Sequence, residues 1–310
     1  MRLPKRSDAL GQVLAPNMPG NIGVFDSGVG GLSVLRALMR QMPGEDMLYV
    51  ADQAHVPYGP RPLEQVRRFS EAITRFLLEK GAKIVVVACN SASAAALSHL
   101  RTTFPDTPFV GMEPAVKPAA ESTQTRVVGV LATPATFQGA LFESVLERFA
   151  AGVTVLRDTC PGLVQQIEAG DLSGPKTRAI LEAALRPMLD QHVDTVVLAC
   201  THFPFVIPAI QEIVGPNVRV IDPAPAIARQ TLRLLQAREL GRQGNGQGRI
   251  EYFTSGERTQ LEAALEKLLS LKAPVGTLSW QDESHLAVAV NPGPGSASGT
   301  APSSSKVHDG

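Results

Sequence analysis

Apolar residues alternate along the chain between short continuous runs and longer stretches in which they recur every three to four positions. The runs are typical of buried strands, and the periodic stretches are typical of helices that bury one face. Strands are predicted in NIGVFDS (21–27), EDMLYVAD (45–52), AKIVVVAC (82–89), RVVGVLAT (126–133), GVTVLRD (152–158), DTVVLAC (194–200) and VRVID (218–222). Helical stretches separate them, including GLSVLRALMRQM (31–42) and EQVRRFSEAITRFLLEKG (64–81), where Gly81 is the expected C-terminal cap. This alternation predicts an α/β fold with mostly parallel sheets flanked by helices.

The sequence contains an internal repeat. Residues 22–27 (IGVFDS) align with residues 128–133 (VGVLAT) at an offset of 106, and residues 86–89 (VVAC) align with residues 197–200 (VLAC) at an offset of 111. Two strand-end patterns recur in the same order, and a cysteine ends the second pattern in both copies. The repeat predicts two similar α/β halves.

Composition narrows the class of protein. The 310 residues are 44% hydrophobic and 19% charged, which excludes disorder of the whole chain. Lys plus Arg and Asp plus Glu are both 29, so no basic excess points to nucleic acid or to an anionic membrane. The longest apolar run, Ile84 to Cys89, is too short to span a bilayer, and the N-terminus lacks the apolar region of a signal peptide. We expect a soluble cytoplasmic protein.

Polar residues with reactive side chains follow the predicted strands, where parallel sheets bind their ligands. They are Asp26-Ser27, Cys89-Asn90-Ser91, Thr133 and Cys200-Thr201-His202. The α-hydrogens of two mirror-image substrates lie on opposite faces of one carbon, so a cofactor-free racemase needs an acid–base group on each side. Thiols can fill both roles near neutral pH. We therefore interpret Cys89 and Cys200 as a two-base pair, with Asp26 and His202 assisting.

Other interpretations stay open at this point. The glycines after Asp26 resemble a nucleotide loop, although Ser33 stands where the third glycine of that fingerprint belongs. Cys200 and His202 could form the nucleophile–base pair of a thiol hydrolase if the chain turns at Thr201. A disulfide is disfavoured in the cytoplasm, the cysteine and histidine spacing predicts no metal site, and Cys160 fits packing better than chemistry.

The chain resembles the glutamate racemases, which interconvert L- and D-glutamate without a cofactor and supply D-glutamate for bacterial peptidoglycan and cell-wall synthesis. The matching motifs, in family order, are GVFDSGVGGLSVLR, VPYG, VVVACNSASAAAL, VGMEPAVKPAA, GVLATPATF, TCPGLVQQIEAG, VVLACTHFPF and IDPA. The resemblance implies catalysis by Cys89 and Cys200 with Asp26 and His202. It also implies substrate contacts from Asp26, Ser27, Tyr58, Gly59, Asn90, Ser91, Thr133, Thr136, Glu168, Thr201 and His202. Position 91 departs from the family, which usually has Thr there.

The resemblance further implies two domains that face each other across an active-site cleft. We place the first at 21–112 plus 224–285 and the second at 113–223, with loose terminal arms at 1–20 and 286–310. Glutamate is the expected small-molecule partner, with no metal, no cofactor and no nucleic acid, and a homodimer is an open alternative to a monomer. The rival functions are an aspartate or related amino-acid racemase and a non-catalytic α/β protein that binds a small anion.

Overall fold

The computed structural model of the protein describes residues 20–243 and 246–289. The described residues form eleven strands: β1 (Asn21–Asp26), β2 (Met47–Ala51), β3 (Ala82–Val87), β4 (Phe109–Gly111), β5 (Val127–Ala132), β6 (Thr154–Asp158), β7 (Thr195–Ala199), β8 (Arg219–Ile221), β9 (Ile250–Thr254), β10 (Val275–Asp282) and β11 (His285–Val288). Each of the seven strands predicted from the sequence is present. The short strand β4 and the strands β9 to β11 were not among them.

Helices connect most of these strands. Within the same residues they are α1 (Leu32–Gln41), α2 (Leu63–Glu79), α3 (Asn90–Thr103), α4 (Val116–Ser122), α5 (Pro134–Gln138), α6 (Ala140–Phe149), α7 (Leu163–Glu168), α8 (Pro175–Leu189), α9 (Ile207–Val214), α10 (Ala224–Ala237) and α11 (Arg258–Leu269), with a 3₁₀ turn at Phe203–Val206 before α9. Gly81 follows α2 with a φ of 82°, the left-handed conformation that favours glycine at a helix end. None of the helices in the described ranges combines the length and apolar character of a membrane span.

The strands form two sheets, of seven and four strands, that share a four-strand order. The first runs β11-β10-β9-β2-β1-β3-β4 and the second runs β6-β5-β7-β8. All neighbours are parallel except β10 and β11. The order β2-β1-β3-β4 thus matches β6-β5-β7-β8 strand for strand, which confirms the predicted α/β class with mostly parallel sheets.

The sequence repeat also has the same strand register in both sheets. Val24 of β1 pairs with Val86 of β3, and the equivalent Val130 of β5 pairs with Val197 of β7. The different offsets of 106 and 111 residues therefore reflect the lengths of the connections and leave the strand pairing unchanged. Equal register brings the end of β3 beside the end of β1, and the end of β7 beside the end of β5.

Buried apolar side chains cover both faces of each sheet. Phe25 and Val85 face a cluster that includes Phe69 of α2, whereas Val24 lies in a larger cluster that continues to Leu198 of the second sheet. Burying one such side chain contributes roughly 1.5–3 kcal/mol. Because one apolar cluster contacts both sheets, the two sets of strand ends are held near each other.

The domain boundaries 21–112 plus 224–285 and 113–223 stay a prediction. The tail, however, begins later than residue 286. Leu286 pairs with Trp280 in the β10–β11 hairpin, so residues 286–288 belong to the first sheet. The alternation in HLAV was too short to read as a strand next to the Pro- and Gly-rich segment that follows. The rest of the predicted tail, and the N-terminal arm apart from Gly20, lie outside the described residues.

Candidate active site

The carboxyl ends of β1, β3, β5 and β7 surround one buried cavity. Its lining contains two of the three cysteines and polar residues from both copies of the repeat: Ser27, Pro57, Tyr58, Gly59, Cys89, Asn90, Ser91, Thr133, Val164, Cys200, Thr201 and His202. The structure thus brings together ten of the predicted site residues. Asp26, Thr136 and Glu168 lie behind this lining and contact residues that form it.

The cavity is narrow. It leaves about 10 Å³ for the centre of a water-sized sphere, roughly the room that a single water molecule requires. An amino acid is several times larger than a water molecule. Entry of any amino-acid substrate therefore requires the residues on the two sides of the cavity to move apart.

Cys89 lies at the junction between β3 and α3. Its sulfur caps the helix by accepting the Ala92 N–H at 3.4 Å, and its thiol donates towards the Ser27 hydroxyl at 3.9 Å. Burial raises the pKa of this thiol, and the nearby Asp26 carboxylate raises it further. Burial and the Asp26 charge therefore both favour the protonated form of Cys89.

Asp26 is fully buried at the end of β1. One carboxylate oxygen accepts the Gly28 N–H at 2.8 Å, and the other accepts the Thr201 hydroxyl from the second sheet at 2.9 Å. Burial raises the pKa of Asp26 to about 6, although His202 and both hydrogen bonds act in the opposite direction. Asp26 thus joins the two halves of the repeat directly behind the cavity.

Cys200 lies at the end of β7 and has an acid–base partner. The backbone turns at Thr201, with the Phe203 N–H donating to the Cys200 carbonyl at 3.1 Å. This turn places the His202 Nδ1 3.8 Å from the Cys200 sulfur. It is the turn that the Cys–His pairing required.

Glu168 holds the other side of the His202 ring. The His202 Nε2 lies 2.6 Å from the Glu168 Oε1, which also accepts the Val29 N–H from the first sheet at 2.9 Å. Burial lowers the pKa of His202, but the hydrogen bonds with Cys200 and Glu168 outweigh burial, and the pKa lies well above its ordinary value. Burial raises the pKa of Glu168, but the hydrogen bond with His202 and its positive charge outweigh burial, so the pKa of Glu168 lies below its ordinary value.

The glycines after Asp26 allow this close approach. A methyl group on Gly28 would collide with Glu168, and one on Gly30 would collide with His202. The loop therefore packs its backbone against the acid–base pair of the other sheet. This packing accounts for the glycines that resembled a nucleotide loop.

Hydroxyl and amide groups form the remaining wall. Asn90 is buried, and neither its oxygen nor its nitrogen has a partner among the described residues. Buried amides in folded proteins are almost always hydrogen-bonded, so Asn90 is suited to bind a polar ligand. Next to it, Ser91, Thr133 and Thr136 form a chain of hydroxyls with oxygen–oxygen distances of 2.8 and 3.0 Å.

Tyr58 is on the wall but is not a free donor. Its hydroxyl donates to the buried Asp52 at 2.6 Å, and a hydroxyl has only one proton to give. The family resemblance implies a substrate contact from Tyr58, and Asp52 is not among the site residues predicted from the sequence. Asp52 follows β2 in YVAD, so the strand-end rule that selected Asp26 applies to it equally.

Metal binding has no support among the residues that the structure describes, because no group of three or more His, Cys, Asp and Glu side chains is placed to hold an ion. The third cysteine, Cys160, is buried and does not line the cavity.

A family model described as Asp/Glu/hydantoin racemase matches residues 22–231. The chain belongs to this family. The racemase is 51% identical over 257 residues to the glutamate racemase of Pseudomonas aeruginosa, which covers 83% of this chain and 97% of that protein. It is 48% identical over 248 residues to the glutamate racemase of Roseiflexus sp., with 80% and 91% covered.

Solved structures of this family have the same fold. A glutamate racemase isoform from Bacillus anthracis is similar with a TM-score of 0.77 and 30% identity, over 87% of this chain and 99% of that chain. The Escherichia coli glutamate racemase, solved with L-glutamate and the activator UDP-MurNAc-Ala, gives a TM-score of 0.74 at 31% identity, over 84% and 99%. The chain is therefore an isomerase of the two-domain α/β type.

Proposed function

We propose that the protein interconverts L- and D-glutamate by proton transfer between the substrate α-carbon and two thiols, Cys89 and Cys200. The observation that carries the proposal is their placement. Equivalent strands of an internal repeat each end in a cysteine, and both cysteines line one cavity. The many glutamate racemases among its relatives, including one at 51% identity, support glutamate as the substrate.

In the proposed reaction one cysteine, as thiolate, takes the α-proton from one face of the substrate. The electron pair of the broken C–H bond stays on the α-carbon and its carboxylate, and the other cysteine, as thiol, delivers a proton to the opposite face. By resemblance to the family, Cys89 acts on D-glutamate and Cys200 acts on L-glutamate. Each turnover exchanges the protonation states of the two thiols, so no outside oxidant or reductant is needed.

His202 and Asp26 assist from different positions. His202 can exchange a proton with Cys200 through Nδ1 while Glu168 holds Nε2. Asp26 has no hydrogen bond to either sulfur, and it fixes the Gly28 backbone and the Thr201 side chain beside the cavity. We assign acid–base assistance to His202 and positioning to Asp26.

Recognition of the substrate side chain rests on neutral donors. Ser27, Asn90, Ser91, Thr133 and Thr201 line the cavity, and several such groups can hold a carboxylate. Thr133 also caps α5, whose N-terminus favours negative charge. A shorter aspartate would leave donors unpaired, and a glutamine amide would place a donor against donors. Such sites reject imperfect analogues strongly.

Two experiments test the assignment. Circular dichroism of D- or L-glutamate incubated with pure protein and no added cofactor should decay to zero ellipticity from both sides. The values of kcat/KM for glutamate, aspartate and glutamine should then favour glutamate strongly. A kcat/KM for aspartate comparable to that for glutamate would favour the aspartate racemase alternative. If the protein binds a small anion tightly but racemises none of the three amino acids, it would be a non-catalytic binding protein.

The cellular setting is also a proposal. A glutamate racemase would act in the cytoplasm and supply D-glutamate for peptidoglycan synthesis. The protein could be a homodimer or a monomer, and light scattering coupled to gel filtration would distinguish the two by their mass.

A further inference from the structure

A buried carboxylate lies behind the pocket wall and has no part in the proposed proton transfer. Asp52 directly follows β2 and is fully buried. Its backbone N–H donates to the carbonyl of Asp26 at 2.9 Å, next to the proposed catalytic centre. Burying a carboxylate destabilises the folded protein unless hydrogen bonds compensate the lost hydration. The groups that bond to Asp52 therefore show which parts of the chain it connects.

Four side chains surround the Asp52 carboxylate, two on each oxygen. Oδ2 accepts the Tyr58 hydroxyl at 2.6 Å and lies 2.9 Å from the His55 Nδ1. Oδ1 accepts the Ser255 hydroxyl at 2.6 Å and the Trp280 indole N–H at 2.7 Å. The first pair belongs to the loop after β2. Of the second pair, Ser255 directly follows β9 and Trp280 lies in β10. The carboxylate therefore fastens the loop to the sheet.

Aromatic packing fixes the same loop from its other side. The His55 ring stacks on Phe69 of α2 with centroids 3.9 Å apart and an interplanar angle of 8°. Phe69 also contacts Tyr58 and Trp280, at centroid distances of 5.9 and 5.4 Å. The hydrogen bonds and the stacking together leave the loop little freedom at Tyr58.

The loop then forms part of the substrate cavity. Tyr58 and Gly59 line it beside Cys89 and Thr133. The Gly59 carbonyl accepts the Ala135 N–H at 3.0 Å, which connects the loop to α5 near the second sheet. Within the described residues, the N–H groups of Tyr58 and Gly59 have no acceptor, so a ligand can use them.

We propose that Asp52 is a positioning residue for glutamate binding, which rests on the function proposed above. It acts through the Tyr58 hydroxyl: the bond holds the loop so that the Tyr58 and Gly59 backbone and the Thr133 region meet the substrate. Asp52 touches neither the substrate nor the thiols. Loss of the Asp52–Tyr58 bond should weaken binding much more than it slows turnover.

The experiment uses the full chain with Tyr58→Phe, Asp52→Ala and the double variant. Ser255→Ala is the matched control: its hydroxyl donates to the opposite oxygen of Asp52 and accepts the Ala54 N–H at 3.1 Å, but Ser255 does not line the cavity. KM and kcat are measured in both directions, and D-glutamate binding is measured by calorimetry. Mirror-image amino acids have equal free energy, so kcat/KM must change equally for both enantiomers.

We expect Tyr58→Phe to raise KM and the calorimetric Kd about tenfold, with kcat within about threefold, the size expected for one lost hydrogen bond. Asp52→Ala removes the same bond together with those of His55, Ser255 and Trp280, and should raise KM and Kd at least as much. The double variant should resemble Asp52→Ala alone, because Asp52→Ala already removes the bond that Tyr58→Phe breaks. Ser255→Ala should leave KM within about twofold. These results would support the positioning role.

Unchanged KM and Kd in Tyr58→Phe and Asp52→Ala, even with a lowered melting temperature, would overturn it and leave Asp52 a purely structural residue. Strictly additive effects would also overturn it. If Asp52→Ala does not fold, Tyr58→Phe decides by the same criterion. A wild-type protein that binds glutamate but does not racemise it would defeat the proposed function, and the calorimetric comparison would still judge Asp52.

Discussion

The two strand-end cysteines occupy equivalent positions in the repeat but differ in their surroundings. Cys89 caps a helix and contacts the Ser27 hydroxyl and a backbone N–H, with no titratable side chain in hydrogen-bond contact. Cys200 faces His202, which Glu168 holds from behind. The duplicated strands thus place two thiols alike, whereas the segments after the strands give them different proton partners.

This difference shows what each part of the chain contributes. Strand register fixes where the sulfur atoms lie, and the side chains behind them set which proton partners each sulfur has. Burial favours the neutral Cys89 thiol, while His202 gives Cys200 a group with which to exchange a proton. A two-base reaction needs one acid and one base at any moment, and in the proposed mechanism His202 is the proton partner that Cys200 has and Cys89 lacks.

Replacing either cavity thiol should have the largest effect. Cys89→Ser and Cys200→Ser should each reduce racemisation by about 10²–10⁴-fold, because a hydroxyl is too weak an acid to replace a thiol in proton transfer. Circular dichroism measures this loss from each enantiomer. Cys160→Ser is the control and should keep wild-type activity, since Cys160 is buried outside the cavity. Two-way activity retained in either of the first two variants would refute the pairing.

The second largest effect should be on the free energy of unfolding, when the charge of Asp26 is removed. Its pKa in the folded protein, about 6, lies above the unfolded value of 3.8, so folding favours the protonated form. This stabilisation is complete below about pH 4 and is lost as pH rises through 6. At pH 8, Asp26→Asn should therefore be more stable than wild type, by at most the order of 3 kcal/mol that the pKa difference corresponds to.

Urea unfolding from pH 4 to pH 8 measures this effect as the difference between the two proteins. The gain in Asp26→Asn should appear between pH 4 and 6 and level off above. An equal difference at every pH would show that Asp26 ionises freely in the folded protein.

Removing the Glu168 charge should weaken the proton partner that distinguishes Cys200 from Cys89. Glu168→Gln should lower kcat/KM by about 100-fold, because the His202 ring loses the carboxylate that orients it. Since Glu168 raises the pKa of His202, the alkaline limb of the pH–rate profile should move to lower pH. Glu212→Gln, on an exposed surface pair with Arg178, should leave the profile unchanged. An unmoved alkaline limb in Glu168→Gln would remove His202 from the proton path.

The departure at position 91 should have the smallest effect. The Ser91 hydroxyl already contacts the Thr133 hydroxyl at 2.8 Å, and Ser91→Thr keeps that bond and adds one methyl group. A buried methyl group is worth about 0.5–1.5 kcal/mol, so kcat/KM should change by no more than about tenfold. Ser91→Ala removes the hydroxyl and should lose more. A larger loss for Ser91→Thr than for Ser91→Ala would show that this wall is packed for serine.

Much of this site follows from local sequence signals. Asp26, Cys89 and Cys200 each end an apolar strand, and the repeat shows that the two cysteines are equivalent. Glu168 came only from family resemblance, because its contact with His202 joins segments 34 residues apart through tertiary packing. Strand-end reasoning applies to Asp52 as well, and attention to every strand-end carboxylate would have found it.

Other features depend on contacts that no local pattern encodes. The Tyr58 hydroxyl points to Asp52 because Ser255 and Trp280, about 200 residues later, hold the opposite oxygen of that carboxylate. The edge strand β11 is four residues long, and its pairing with β10 defines it more than its own composition does. Long-range partners therefore limit what the sequence predicts.

Hydrogen exchange at the substrate α-carbon in D₂O tests the two-thiol assignment most directly. With one thiol left, the α-proton can be removed and a solvent deuteron returned only on the face of that thiol. By proton NMR, Cys200→Ser should exchange D-glutamate without inverting it, and Cys89→Ser should exchange only L-glutamate. Exchange of both enantiomers by either variant, or exchange with continued inversion, would contradict the account.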